Sequence, residues 1–154
     1  MPSGFASSLT DAERAALALD VGWLKWRAEF RVQMLSSGIL QRGWRSVFEA
    51  DILSLIAFSW LSGRAITLKE LSTYFELFAT PTTIFRHLDD MEKAGIIRRV
   101  PDEEDKRRLL LIPTERLEHV GKAFLSARVE LLRRNGFQWS PQTTNDLKTA
   151  IDTA

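Results

Sequence analysis

Apolar residues recur at helical spacing along most of this chain and give way to β-rich runs between Ile96 and Ile112. A first helical region opens at Thr10-Asp11-Ala12-Glu13. There the threonine hydroxyl and the glutamate three residues on can each satisfy an orphan backbone donor. The region runs through Leu17, Trp23, Leu24 and Phe30 towards Leu35, with a bend expected at Gly22. Ser36-Ser37-Gly38 reads as a break and Gln41-Arg42-Gly43 as a loop. The next helix, from about Ser46 to Leu61, carries Ile52, Leu55, Ile56 and Leu61. A helix apolar around so much of its circumference is buried, and Ser62-Gly63 stops it.

Two short helices and a hairpin follow. Thr67-Leu68-Lys69-Glu70 is a second capping box, and Thr80-Pro81 supplies a hydroxyl cap followed by proline at the first helical position. Gly95 ends that second helix. The β-rich pieces Ile96 to Val100 and Arg108 to Ile112 flank a charged tip, Pro101 to Arg107. A helix-turn-helix carrying a β-hairpin is a winged helix, whose commonest task is to read double-stranded DNA. From Thr114 to about Arg134 a long helix places Leu117, Val120, Phe124 and Leu131 at spacings of three, four and seven, a stripe suited to a partner helix. Asn135-Gly136 ends it, and Ser140-Pro141 caps a last short helix through Leu147 and Ile151.

The expected fold is therefore mostly α: a winged helix-turn-helix with a two- to three-stranded β-wing, flanked by N- and C-terminal dimerisation helices. Residues 1–45 form the N-terminal helical dimerisation region, 46–113 the DNA-binding module, and 114–154 the C-terminal dimerisation helices.

Composition narrows the chemistry. The chain has 154 residues, a size suited to one domain with a real core. Cysteine is absent, which excludes disulfides, thiolate metal sites and cysteine redox sensing. His87 and His119 lie far apart with no ligand cluster around either. No nucleophile-base-orienter set, phosphate-cradling glycine loop or metal-ligand motif is present. The expectation is a protein that is not an enzyme, with no cofactor and no metal. Its N-terminus lacks a signal-peptide pattern and its apolar runs are too short to span a bilayer, so a cytoplasmic location without membrane contact is expected. Net charge is only +1, and Arg64 to Arg108 holds nine Lys/Arg against nine Asp/Glu. A DNA-binding role must then rest on where the charges sit.

On the second helix of the motif, Ile84, Leu88 and Met91 make an inward stripe, while Thr82, Thr83, Arg86, His87 and Asp90 lie opposite. Arginine can bond guanine O6 and N7 bidentately, and threonine can touch a thymine methyl or donate to phosphate. The helix start at Thr80 offers backbone N–H groups to a phosphate. In the wing, Arg107 is placed to enter a minor groove, where negative potential attracts arginine. Asp105 restrains that loop by bonding nearby arginine or backbone groups. The candidate DNA contacts are Thr80, Thr82, Thr83, Arg86, His87, Arg98, Lys106, Arg107 and Arg108.

Leu71 to Thr114 resembles the MarR family of winged-helix transcriptional regulators. The resemblance lies in Thr82 to Arg99 and in Pro101 to Arg108, the latter holding the Asp-x-Arg wing signature at Asp105 and Arg107. It covers about a third of the chain closely. It implies a triangular homodimer whose N- and C-terminal helices pair, with recognition helices in successive major grooves and Arg107 in a flanking minor groove. Many relatives are repressors released by small aromatic or phenolic effectors. Trp23, Trp26, Arg27, Phe30 and Trp44 lie near where such an effector crevice falls in the family. Two departures bear on the sequence read. The turn Phe75 to Thr80 is about two residues longer than usual and lacks the common glycine. Phe85 replaces a small polar residue, which implies a lost DNA contact.

Two function classes fit these residues. One is a dimeric, sequence-specific double-stranded DNA-binding transcriptional regulator, a repressor relieved by a small effector. The other is a winged-helix protein-interaction or architectural module, for which the neutral charge, the acidic wing and the apolar turn at Leu77 and Phe78 argue.

Overall fold

A computed structural model of the chain describes residues 8–36 and 49–141, with side chains described except at 25–36. The elements are α1 (Asp11–Ser36), α2 (Glu49–Leu61), α3 (Leu68–Tyr74), α4 (Pro81–Lys93), β1 (Ile97–Pro101), β2 (Leu109–Pro113) and α5 (Glu115–Arg134). This is the mostly helical winged helix that the patterning predicts.

The starts of α1, α3, α4 and α5 are each fixed by a local hydroxyl. Thr10 and Thr67 both make the full reciprocal box: the threonine N–H donates to the glutamate carboxylate at 2.9 Å, and the Glu13 and Glu70 amides donate back at 3.2 and 3.1 Å. Thr80 Oγ1 accepts from the Thr83 amide, and Thr114 Oγ1 from the Leu117 amide. α1 runs unbroken through Gly22, because a glycine costs a helix interior only about 1 kcal/mol and packing on α2 and α5 holds the rest. The last predicted helix lies beyond Pro141, outside the described residues, as do the break and loop at 37–43.

Both strands sit one residue later than the sequence suggests. The end of α4 explains the shift. The Gly95 amide donates to Glu92 O and the Ile96 amide to Met91 O, a Schellman closure. It needs a left-handed residue, and Gly95 supplies φ +74°. Ile96 is thus spent on the helix cap, and β1 begins at Ile97. The strands pair antiparallel from Ile97↔Pro113 to Pro101↔Leu109. A single bridge, Thr67↔Leu110, adds the start of α3 as a rudimentary third strand.

The core joins all these pieces. Ile52 and Ile56 of α2, Leu71 of α3, Ile84 and Leu88 of α4, Ile97 of β1 and Leu111 of β2 are fully buried. The long turn between α3 and α4 belongs to this core as well. Phe75 and Phe78 are buried and meet edge to face at 6.3 Å, and of the turn's apolar residues only Leu77 projects, at 40% exposure. The extra apolar residues of the turn are packing residues, which leaves the turn little to offer a protein partner.

α1 and α5, from opposite ends of the chain, lie side by side and parallel. Ser8 Oγ donates to Glu118, Lys122 Nζ and Ser126 Oγ to Glu13 at 2.6 and 2.7 Å, and Arg128 pairs with Asp20. Leu117 and Leu125 are buried in the core that these helices share with α2.

Candidate nucleic-acid interface

The inward stripe of α4 is Ile84, Leu88 and Met91, exposed 4% or less. Its opposite side exposes Thr82, Phe85, Arg86, Asp90 and Lys93. Two residues of the predicted polar face are turned to the flank. Thr83 is half-buried, its hydroxyl 3.1 Å from that of Thr80. His87 is also half-buried, with Nδ1 3.3 Å from Glu49 Oε1 at the start of α2. Phe85 stands on the open side in their place. Its angle was available from the helical repeat, since it lies three residues after Thr82 and four before Asp89. Sorting the face by polarity passes over it.

The wing tip is closed by its own backbone and acids. The Asp102 amide donates to Arg108 O and the Arg108 amide to Asp105 O, both at 2.9 Å. Asp105 Oδ1 accepts from the Arg107 amide at 3.1 Å, and Asp102 Oδ1 from the Glu104 amide at 3.1 Å. Asp105 therefore shapes the backbone that carries Arg107. The side chains of Lys106, Arg107 and Arg108 are exposed, with Arg108 Nε 3.6 Å from Asp102 Oδ2. Arg98 is exposed on β1, and Thr80 is exposed at the α4 cap.

The formal neutrality of the module hides a division of charge. Arg99 lies between Asp89 and Glu92 at 2.6 and 3.0 Å, and its amide donates to Glu92 as well. Hydrogen bonds from Arg99 hold the Glu92 carboxyl below the usual carboxylate range, and Glu92 in turn raises the arginine. Glu70 pairs with Arg64 at 2.6 Å. Several of the module's acids are thus occupied inside it. Among the described residues, Arg86, Arg98 and Arg107 have no ion-pair partner, which leaves their guanidinium groups open to an outside anion. Arg99 also ties β1 to α4, a role that the sequence reading missed; an arginine seven residues from a glutamate across a helix end carries no pattern of its own.

A second surface lies along α5. On α5, Val120, Phe124 and Leu131 are more than half exposed, while Leu117 of the same predicted stripe turns into the core. A cavity of about 290 Å³ opens beside this face, walled by Leu53 and Ala57 of α2 and by Leu117, Val120 and Phe124 of α5. Glu49 and Glu118 sit at its rim. Of the predicted effector residues only Trp23 has a described side chain, and it does not line this cavity. Trp23 is 46% exposed on α1, Trp44 lies outside the described residues, and so do the side chains of Trp26, Arg27 and Phe30. No described helix is long and apolar enough to cross a membrane.

The model of the MarR family matches residues 62–109, from the end of α2 into β2. No curated protein matches the chain. Among solved structures, a mutant of MepR from S. aureus is 17% identical, with 86% of this chain and 93% of that one covered and a TM-score of 0.51. A crystal structure of MarR is 27% identical over 68% of this chain and 72% of that chain, with a TM-score of 0.43. Streptococcus pneumoniae FabT, solved in complex with DNA, is 22% identical over 84% and 93%, also at 0.43. The chain thus has the winged-helix fold, and its residues 62–109 are similar to the MarR family.

Proposed function

We propose that this protein is a homodimeric transcriptional regulator that binds double-stranded DNA sequence-specifically, acting as a repressor. The observation that carries the reading is two arginines without an ion-pair partner among the described residues, Arg86 on the open face of α4 and Arg107 on the wing, where Arg64, Arg99 and Arg108 are each beside an acid of the module. The family match over residues 62–109 supports it.

In this reading α4 enters a major groove. Arg86 reads guanine, Thr82 meets a base or phosphate, and the Thr80 and Thr83 hydroxyls at the helix start lie towards the backbone. His87, on the flank, lies near the phosphates. Arg107 enters the adjoining minor groove, with Lys106, Arg108 and Arg98 on the phosphates around it. Residues 46–113 form the DNA-binding module, while residues 1–45 and 114–154 pair the two copies. Half-sites then lie about one helical turn apart, ~34–36 Å. A small aromatic effector held near Trp23, Trp26, Arg27, Phe30 and Trp44 relieves binding.

Fluorescence anisotropy with genomic fragments across a salt series tests the reading. Tight binding to a few fragments, two subunits per site and a steep negative salt slope are expected. Weak and equal binding to all fragments, or none at low salt, would instead favour a protein-interaction module. The unpaired Glu103 and Glu104 on the wing tip would serve such a module better than they serve DNA.

A further inference from the structure

Phe85 breaks the inside-out pattern of its own helix. The described residues of the winged-helix module expose two large apolar side chains, Leu77 in the turn and Phe85 on α4, each at 40%. Leu77 belongs to a turn whose neighbours Phe75 and Phe78 are core, so its exposure follows from the packing of the turn. Phe85 has no such reason. It follows the fully buried Ile84 directly, and α4 already fills the core with Ile84, Leu88 and Met91. A serine or lysine at position 85 would satisfy the helix equally well and would cost no exposed apolar surface.

What surrounds Phe85 defines what it can meet. Thr82 lies one turn before it and Asp89 one turn after, while Arg86 is the next residue. Asp89 is held back by Arg99 at 2.6 Å, so its carboxylate is already engaged. The phenyl ring therefore stands in a polar row beside an unpaired guanidinium. A phenyl group has no hydrogen bond to give to a base edge. The major groove offers it one apolar feature, the C5 methyl of thymine.

We infer that Phe85 is a specificity-determining residue that reads the 5-methyl group of a thymine neighbouring the base contacted by Arg86. The inference rests on the DNA-binding function proposed above, and deepens it by naming the chemistry of one position in the site. An apolar contact of this kind distinguishes thymine from cytosine at that step, and equally from uracil, which pairs identically and lacks only the methyl.

The test uses duplexes selected by the full-length protein from a random-sequence pool. Thymines in the best duplex are replaced singly by deoxyuridine, and binding is followed by anisotropy. At one thymine in each half-site the replacement is expected to weaken the wild-type protein about fourfold, and about fifteenfold with both replaced, the effect of one buried methyl at each. Phe85→Ala is expected to bind thymine and uracil duplexes alike, while Phe85→Leu keeps part of the discrimination and Arg86→Ala keeps all of it on weaker binding. Melting curves check that the variants fold, as the exposure of Phe85 leads one to expect. Sequence-selective binding that ignores uracil at every position would overturn the role of Phe85 and leave the regulator reading intact. A pool from which no duplex is selected at low salt would overturn both.

Discussion

Arg86 and Arg107 occupy different settings, and their removal should separate two kinds of DNA contact. Arg86 stands on a rigid helix whose opposite side is locked by Ile84 and Leu88. A bidentate contact to guanine from such a base carries sequence information, so Arg86→Ala is expected to cost roughly 1–3 kcal/mol at the preferred site and to relax preference there. Arg107 stands on a loop shaped by Asp105, and in the proposed function it meets groove potential and phosphate. Arg107→Ala should weaken all duplexes similarly and flatten the salt slope by about one ion per subunit. Unchanged binding of both variants to the selected duplex would remove these roles. Residue types on α4 are legible in the sequence because a 3.6-residue repeat sorts them into faces. Finer placement is not, because it depends on tertiary neighbours: His87 turns towards Glu49 of α2, thirty-eight residues away, and Asp89 and Glu92 are claimed by Arg99 of the wing strand.

The boundaries of the elements are written in short-range chemistry, and two glycines in helical segments should show it with opposite signs. Gly95 holds φ +74° so that the Gly95 and Ile96 amides can close the end of α4. A Cβ there meets only the Arg116 side chain at 3.8 Å, an ordinary contact. The cost of Gly95→Ala is therefore backbone strain, roughly 1–2 kcal/mol. Gly22 lies inside α1 with nothing within 4 Å of an added Cβ. Gly22→Ala should raise stability by about 0.5–1 kcal/mol, since alanine gives up less freedom on entering a helix. Denaturant melts of the two variants check both signs, and a stabilised Gly95→Ala would contradict the Schellman account. Caps at Thr10, Thr67 and Thr80 are all legible because donor and acceptor sit three residues apart. The strand starts are displaced by one residue because Gly95 and Ile96 serve the helix before the strand, a competition that β-propensity alone does not register. The turn from Phe75 to Ala79 is misread for a similar reason: its aromatic residues look like an exposed surface until α2, α3 and α4 close over them.

Least legible of all is the pairing of the chain's two ends, since Glu13 and Lys122 are 109 residues apart. Burial raises the pKa of the Glu13 carboxyl, but hydrogen bonds from Lys122, Ser126 and the Thr10 amide outweigh it and the net shift is downward from 4.5. The unfolded chain then takes up this proton first as pH falls. Stability from Glu13 is present in full above about pH 4.5 and is lost as pH drops through the depressed folded value. Glu13→Gln should cost roughly 1–2 kcal/mol at neutral pH, the Lys122 partner being partly exposed, and should flatten the acid limb of the melting temperature. With α1 fixed on one side of α5, the other side is left bare: Val120, Phe124 and Leu131 recur at four and seven residues, each more than half exposed. A row of that length in water is the kind of surface that a second copy covers. Phe124→Glu tests it at a ring that is 52% exposed, with a denaturant melt to check that the protomer still folds. The variant should melt as the wild type does at low concentration, sediment as a monomer, and bind a single half-site. Losing the second, tethered half-site should lower operator affinity by about 100-fold or more. A Phe124→Glu protein that remains dimeric with full operator affinity would move the pairing surface away from this face of α5 and onto other parts of the terminal regions.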